Sequence, residues 1–214
     1  MVCIEKGCPM PVRIEKIEEK LRNNIINSGL KEFSLYGYEK ASLNNILSEA
    51  EISKGRFYQY VKGKKEFYDY LIEFFLNSTV DTVSENVDWT KGDILERLKE
   101  TIKIRINTGI KYPYLFKFAY MINREVEFRD YLAKKKKDID FLRSKYHSDS
   151  IDKSKFKDNS NLEEHISIIK WTYNSLMKDH FEKADYNLDD ENINELYKEI
   201  EKYALIFKSL FYKN

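Results

Sequence analysis

The chain has 214 residues, 42% of them hydrophobic and 14% aromatic, with a formal net charge of +1. That much apolar side chain excludes wholesale disorder, and the charge balance excludes a polycation that coats any nucleic acid it meets. With only 7 Gly and 3 Pro, the composition suits long helices rather than many tight turns.

The opening "MVCIEKGCPMP" carries both cysteines, Cys3 and Cys8, before any helical period begins. A CxxxxC pair without histidine partners makes a poor zinc site, so residues 1–12 read as a flexible arm with reduced thiols. No run of about 18 apolar residues and no basic-then-apolar leader is present, so a soluble, cytoplasmic protein without membrane contact is expected. Ile14, Ile17, Leu21, Ile25, Leu30 and Phe33 recur at three- and four-residue spacings, which predicts a helix over about 13–36 with Gly37 as its cap. Ser42 is the N-cap expected for "LNNILSEA". Ser53 is a second N-cap, before about two turns in "KGRFYQYV". Residues 42–61 therefore read as two short helices joined by a turn, the size of a helix-turn-helix.

A long helix is expected from about Lys64 toward Val83, a rigid connector, and another over about 93–112. Pro113 suits the first turn of the next helix, and a further helix is expected over about 125–146. "HSDSIDKSKFKDNSN" is the best candidate for disorder, and helices over about 162–183 and 191–212 close the chain. The fold class is all-α with about nine helices. A helix-turn-helix domain over 13–75 precedes a larger bundle over 76–214.

Residues 53–65 carry five cations, Lys54, Arg56, Lys62, Lys64 and Lys65, and no carboxylate, with Phe57, Tyr58 and Tyr60 among them. A solvated helix end accounts for such a run taken alone. A second short helix with Lys and Arg at its start also has the shape to enter a DNA major groove, with flanking Tyr and Lys on phosphates. Backbone N–H groups near Gly63 and Lys64 offer a further phosphate seat.

The segment "SLNNILSEAEISKGRFYQYVKGKKEFYDYL", with the helix before it, resembles the N-terminal DNA-binding domain of TetR-family transcriptional regulators over about residues 13–75. The resemblance implies a capping and phosphate-touching hydroxyl at Ser42, and a reading helix opened by Ser53, Lys54 and Gly55. It implies the characteristic tyrosine at Tyr58, base or phosphate contacts from Gln59 and Tyr60, and a phosphate-holding Lys64. Glu51 departs from the pattern, standing where the turn usually has glycine. So does Arg56, where a small hydroxyl residue is usual and where a guanidinium reaches either a guanine or a phosphate. The family implies a homodimer on a palindromic operator, commonly a repressor released by a small-molecule effector. The alternative is a helical adaptor that binds only proteins.

In the larger domain, Tyr112, Phe116, Tyr120, Phe128 and Tyr173 are either plain core or an effector wall. Leu162, Ile166, Ile169, Tyr173, Met177 and His180 share one stripe, while Ile168 and Trp171 point the other way. Ile168, Trp171, Tyr203 and Phe207 are therefore candidates for a dimer interface, against the alternative that Trp171 packs within its own subunit. Catalysis is not expected. The residues three before His147, His165 and His180 are Ser144, Leu162 and Met177, so the Glu-x-x-His pairs of di-iron bundles are absent. HExxH, P-loop and GxSxG motifs are missing as well, and no metal or other cofactor is expected.

Overall fold

The computed structural model describes residues 14–124 and 128–213, so the arm with Cys3 and Cys8 lies outside the described residues. Every extended element among the described residues is helical; the nearest approach to a strand is an isolated antiparallel bridge between Phe156 and Tyr212. The helices are α1 (Glu19–Lys40), α2 (Leu43–Glu49), α3 (Lys54–Phe57), α4 (Lys64–Leu76), α5 (Thr82–Asn86) and α6 (Ile94–Lys111). They continue with α7 (Leu115–Ile122), α8 (Phe128–Lys134), α9 (Lys136–Lys145), α10 (Leu162–Lys183) and α11 (Asp190–Phe211). None of them is long and apolar enough to cross a membrane.

The contacts divide the chain into two compact units. One holds the residues up to Phe75 together with Tyr114–Tyr131; the other holds Leu76–Pro113 and the chain from Leu132 onward. Thus α7, distant in sequence, completes the core of the first unit. Phe33, Phe67, Tyr68 and Phe118 bury their rings there, with Tyr68 edge-on to Phe33 at 4.8 Å and to Phe118 at 5.6 Å. Gly29 lets α1 lie close against α4, because a Cβ at that position would sit 2.5 Å from the Phe67 ring. Gly37 breaks α1 as expected, with φ 71° and ψ 170°, a backbone region essentially closed to residues with a Cβ.

Several boundaries differ from the periodicity. The expected helix over 13–36 begins instead with a 3-10 turn, Ile14–Lys16, and becomes α-helical only at Glu19, where the Glu18 carboxylate accepts the Lys20 N–H. The helix expected from Lys64 toward Val83 runs on to Asn86 but contains a π-helical turn, Asn77–Asp81, closed by the Thr82 N–H on the Asn77 carbonyl. The helix expected over 125–146 is broken at Lys135, whose ammonium reaches both carboxylate oxygens of Asp81 at 2.9 and 2.8 Å.

The segment expected to be disordered is tied down. Residues 147–161 bury Ile151 and Phe156, and the Phe156 ring lies 4.4 Å from that of Tyr212. The Asp152 N–H donates to the Gly92 carbonyl at 2.8 Å, and the Lys157 N–H to that of Phe211 at 2.8 Å. Beneath it Arg97 is buried, with a guanidinium that donates to the carbonyls of Trp89, Lys91, Lys145 and Ser150 and to the Ser150 hydroxyl. All five of its N–H groups are engaged. Asp93 caps α6 by accepting the Leu95 N–H at 2.9 Å and also accepts the Tyr212 hydroxyl at 3.0 Å.

Candidate nucleic-acid interface

α2 and α3 are each started by a hydroxyl. Ser42 Oγ accepts the Asn45 N–H at 3.4 Å, and Ser53 Oγ accepts the Arg56 N–H at 3.3 Å. Both follow from the extended backbone at the cap, which turns the side chain back over the first turn. Between the helices Glu51 takes φ 53°, the left-handed conformation that glycine adopts without steric cost. The departure at Glu51 therefore keeps the turn and strains it.

The second helix of the pair is shorter than expected. α3 makes one helical turn over Lys54–Phe57, and turn bonds follow it, Tyr60 N–H to the Phe57 carbonyl at 2.9 Å and Val61 N–H to the same oxygen at 3.1 Å. Ile52, Phe57 and Val61 are buried beneath it, and Phe57 stands edge-on to Phe67 at 5.4 Å. With those anchors fixed, Ser53, Lys54, Gly55, Arg56, Tyr58 and Gln59 are left on the exposed side, and Ser42, Tyr60 and Lys64 are half-buried. All nine DNA-contact candidates lie in the first unit.

Lys64 is held in place: its ammonium donates to the Glu39 carbonyl at 3.0 Å and sits 4.9 Å from the centre of the Tyr38 ring. The N-terminal end of α4 is partly occupied by the chain itself, because the Glu66 carboxylate accepts the Lys62 N–H.

Two positioning residues escape a reading by residue class. Glu32 is a buried carboxylate that accepts the Ser42 N–H at 2.8 Å and the Asn45 side-chain amide at 3.2 Å, pinning α2 to α1. Its only signal in the sequence is an acid beside Phe33 on the buried side of α1. Lys31 bridges to Glu49 at 2.7 Å, and that hydrogen bond holds the lysine above its ordinary pKa.

The remaining candidates scatter. Phe116 and Phe128 are buried in the first unit and Tyr120 is exposed there. Tyr173 is buried in the second unit, its hydroxyl donating to the Ile200 carbonyl at 3.4 Å. Tyr112, one of the five aromatic effector candidates, lines a groove of the second unit between α5 and α6. The α10 stripe is buried at every position named for it, whereas Ile168 is exposed and Trp171 is 70% exposed. Trp171 is therefore largely left in solvent by the single chain. Phe207 packs within it, edge-on to Tyr173 at 5.7 Å, while Tyr203 is half-buried.

This arrangement, two capped short helices on an aromatic base with a cationic, tyrosine-bearing outer face, is a helix-turn-helix. Residues 25–71 match the family model of bacterial regulatory proteins of the tetR family. The chain is similar in fold to a TetR family transcriptional regulator from Chloroflexus aurantiacus, with TM-score 0.64 and 18% identity over 94% of this chain and 97% of that one. It is likewise similar to a TetR-like transcriptional regulator from a Rhodococcus species, with TM-score 0.54 and 14% identity over 89% and 99% of the two chains. At such identities the likeness is one of fold. No curated protein matches the chain in sequence.

Proposed function

We propose that the protein is a non-enzymatic, cytoplasmic, homodimeric transcriptional repressor that binds a palindromic operator and releases it when a small molecule occupies the second unit. The observation that carries this reading is the outer face of α3. Lys54, Arg56, Tyr58 and Gln59 are exposed over a buried anchor of Ile52, Phe57 and Val61. In it, Lys54 and Arg56 face the major groove, Tyr60 and Lys64 sit on backbone phosphates, and Ser42 lies beside a phosphate at the start of α2.

A dimer is supported by apolar side chains that the single chain leaves in solvent on α10 and α11. Trp171 and Leu205 are 70% and 69% exposed, and Ile168, Ile206 and Leu210 are exposed as well. Such side chains call for a partner, and two-fold symmetry supplies one for each subunit. A dimer also matches a palindrome whose half-sites lie about 34–36 Å apart. An effector acts by favouring a dimer geometry in which the two reading helices no longer meet successive grooves.

The test is a mobility-shift and footprinting assay on the DNA upstream of the protein's own coding sequence. A two-fold footprint is expected, with salt dependence reduced by about one phosphate's worth in Lys64→Ala. Absence of any sequence-specific shift would favour the adaptor. Trp171→Glu is expected to give a helical monomer by light scattering, with operator binding lost.

A further inference from the structure

The phosphate candidate at the start of α4 rests on an aromatic ring from the far end of α1. Gly37 bends the chain there with φ 71°, and residues 38–40 form one more turn, closed by the Ala41 N–H on the Gly37 carbonyl at 3.1 Å. In that turn the Tyr38 ring lies nearly parallel to that of Phe33, 6.4 Å away, and 5.0 Å from that of Tyr68. Phe33 and Tyr68 are buried, so two core rings fix the plane of a third that is half-buried.

The Lys64 ammonium lies over this third ring, 4.9 Å from its centre, and donates to the Glu39 carbonyl at 3.0 Å. A ring face and a carbonyl hold an ammonium without cancelling its charge as a carboxylate would. Lys65 shows the contrast. Its ammonium is 6.0 Å from the centre of the same ring but pairs with Asp69 at 2.6 Å.

One of the three N–H donors of Lys64 is spent on the carbonyl, which leaves two for an anion. A lysine that is free to move loses rotamer freedom when it grips a phosphate, and that loss weakens the contact. Here two contacts already hold the ammonium in the protein alone.

We propose that Tyr38 is a positioning residue for DNA binding: its ring seats the Lys64 ammonium for a backbone phosphate, so that less freedom is lost when the duplex arrives. The inference rests on the operator reading above and adds a residue to it. Tyr38 acts through Lys64, and its effect is blind to base sequence because every duplex presents the same phosphates.

The test is fluorescence anisotropy of the full-length protein on two labelled duplexes, the footprinted operator and an unrelated sequence, at several salt concentrations. Tyr38→Leu is expected to weaken both by the same factor, about 3-fold. Lys64→Met is expected to weaken both and to lower the salt slope by about one phosphate's worth. Tyr38→Phe, which keeps the ring, is expected to bind as the wild type does. Tyr38→Leu combined with Lys64→Met is expected to add no further loss, because the seat then has no ammonium to hold. A residue that only supported the fold would lower affinity in both backgrounds, and would cost the operator more than the unrelated duplex. Without DNA, the Lys64 Hε protons are expected to show an upfield ring-current shift in the wild type and in Tyr38→Phe. Absence of that shift in the wild type overturns the seat, whatever the fate of Tyr38→Leu. Unchanged affinity in Tyr38→Leu, an equal loss in Tyr38→Phe, a loss confined to the operator, or a loss that persists beside Lys64→Met would each overturn the assignment and leave the operator reading standing. Wild-type protein that binds neither duplex would sink both.

Discussion

In the first unit a cluster of rings lies at the core among buried aliphatic side chains, with Phe33, Phe57, Phe67, Tyr68 and Phe118 packed largely edge to face where Gly29 leaves space. In the second, the loop-bearing end is organised by a buried guanidinium and a buried carboxylate, Arg97 and Asp93, that satisfy backbone carbonyls, a cap and the Tyr212 hydroxyl. The contrast follows from what each unit must present. A helix as short as α3 needs a stiff apolar floor, so that its outer face is free for charge. A unit with long irregular connections must find partners for backbone groups that no helix satisfies, and one arginine serves several carbonyls at once.

The largest expected effect tests the arginine. Arg97→Met keeps the volume and removes five donors, leaving the carbonyls of Trp89, Lys91, Lys145 and Ser150 without their partner. A loss of about 3–4 kcal/mol in urea denaturation is expected. Hydrogen exchange should accelerate first at 89–92 and 145–157. Arg97→Lys should recover little, since one ammonium cannot reach the same set. Equal acceleration throughout the first unit would break the comparison.

Gly29→Ala tests the aromatic side. The added methyl would meet Phe67, and about 2 kcal/mol of destabilisation is expected despite alanine's better helix propensity. Pairing it with Phe67→Leu should restore part of that loss, because the clash is with the ring.

Tyr212→Phe removes the hydroxyl from Asp93 and is expected to cost about 1 kcal/mol near pH 7. Burial pushes the Tyr212 pKa well above its ordinary value of 10.0, with the Asp93 charge adding to the shift. The folded state therefore binds the proton more tightly than the unfolded state. This contribution is fully present below about pH 10 and is lost as pH rises past the unfolded value. Wild-type stability should fall above that pH, and the variant's profile should be flatter there, measured by denaturation across pH 7–11.

The smallest effect is a gain. Glu51→Gly relieves a left-handed φ of 53° and is expected to add about 0.5 kcal/mol, read as a raised Tm, since glycine's greater unfolded freedom offsets part of the relief.

Much of the helical layout was legible without coordinates. The caps at Ser42 and Ser53, the break at Gly37 and the α10 stripe from Leu162 to His180 are local patterns, and local patterns survive folding. The cationic, exposed side of α3 was legible for the same reason, as its cations and tyrosines are neighbours along the chain. The π-turn at Asn77–Asp81 and the break at Lys135 were not, because they accompany interactions, such as the Lys135–Asp81 pair, that join residues far apart in sequence.

By itself the sequence determined which segments are helical, where the caps at Ser42 and Ser53 lie, which face of α10 is apolar, and which short segment carries the charge, since these depend on spacing over a few turns. Only the tertiary structure decided that α7 completes the first unit, that residues 147–161 are ordered, that Glu32 and Arg97 are buried positioning groups, and that Trp171 is exposed while Phe207 is not. The physical reason is that burying a polar or aromatic group is worthwhile or costly according to the partner it meets, and periodicity names a face but not the partner.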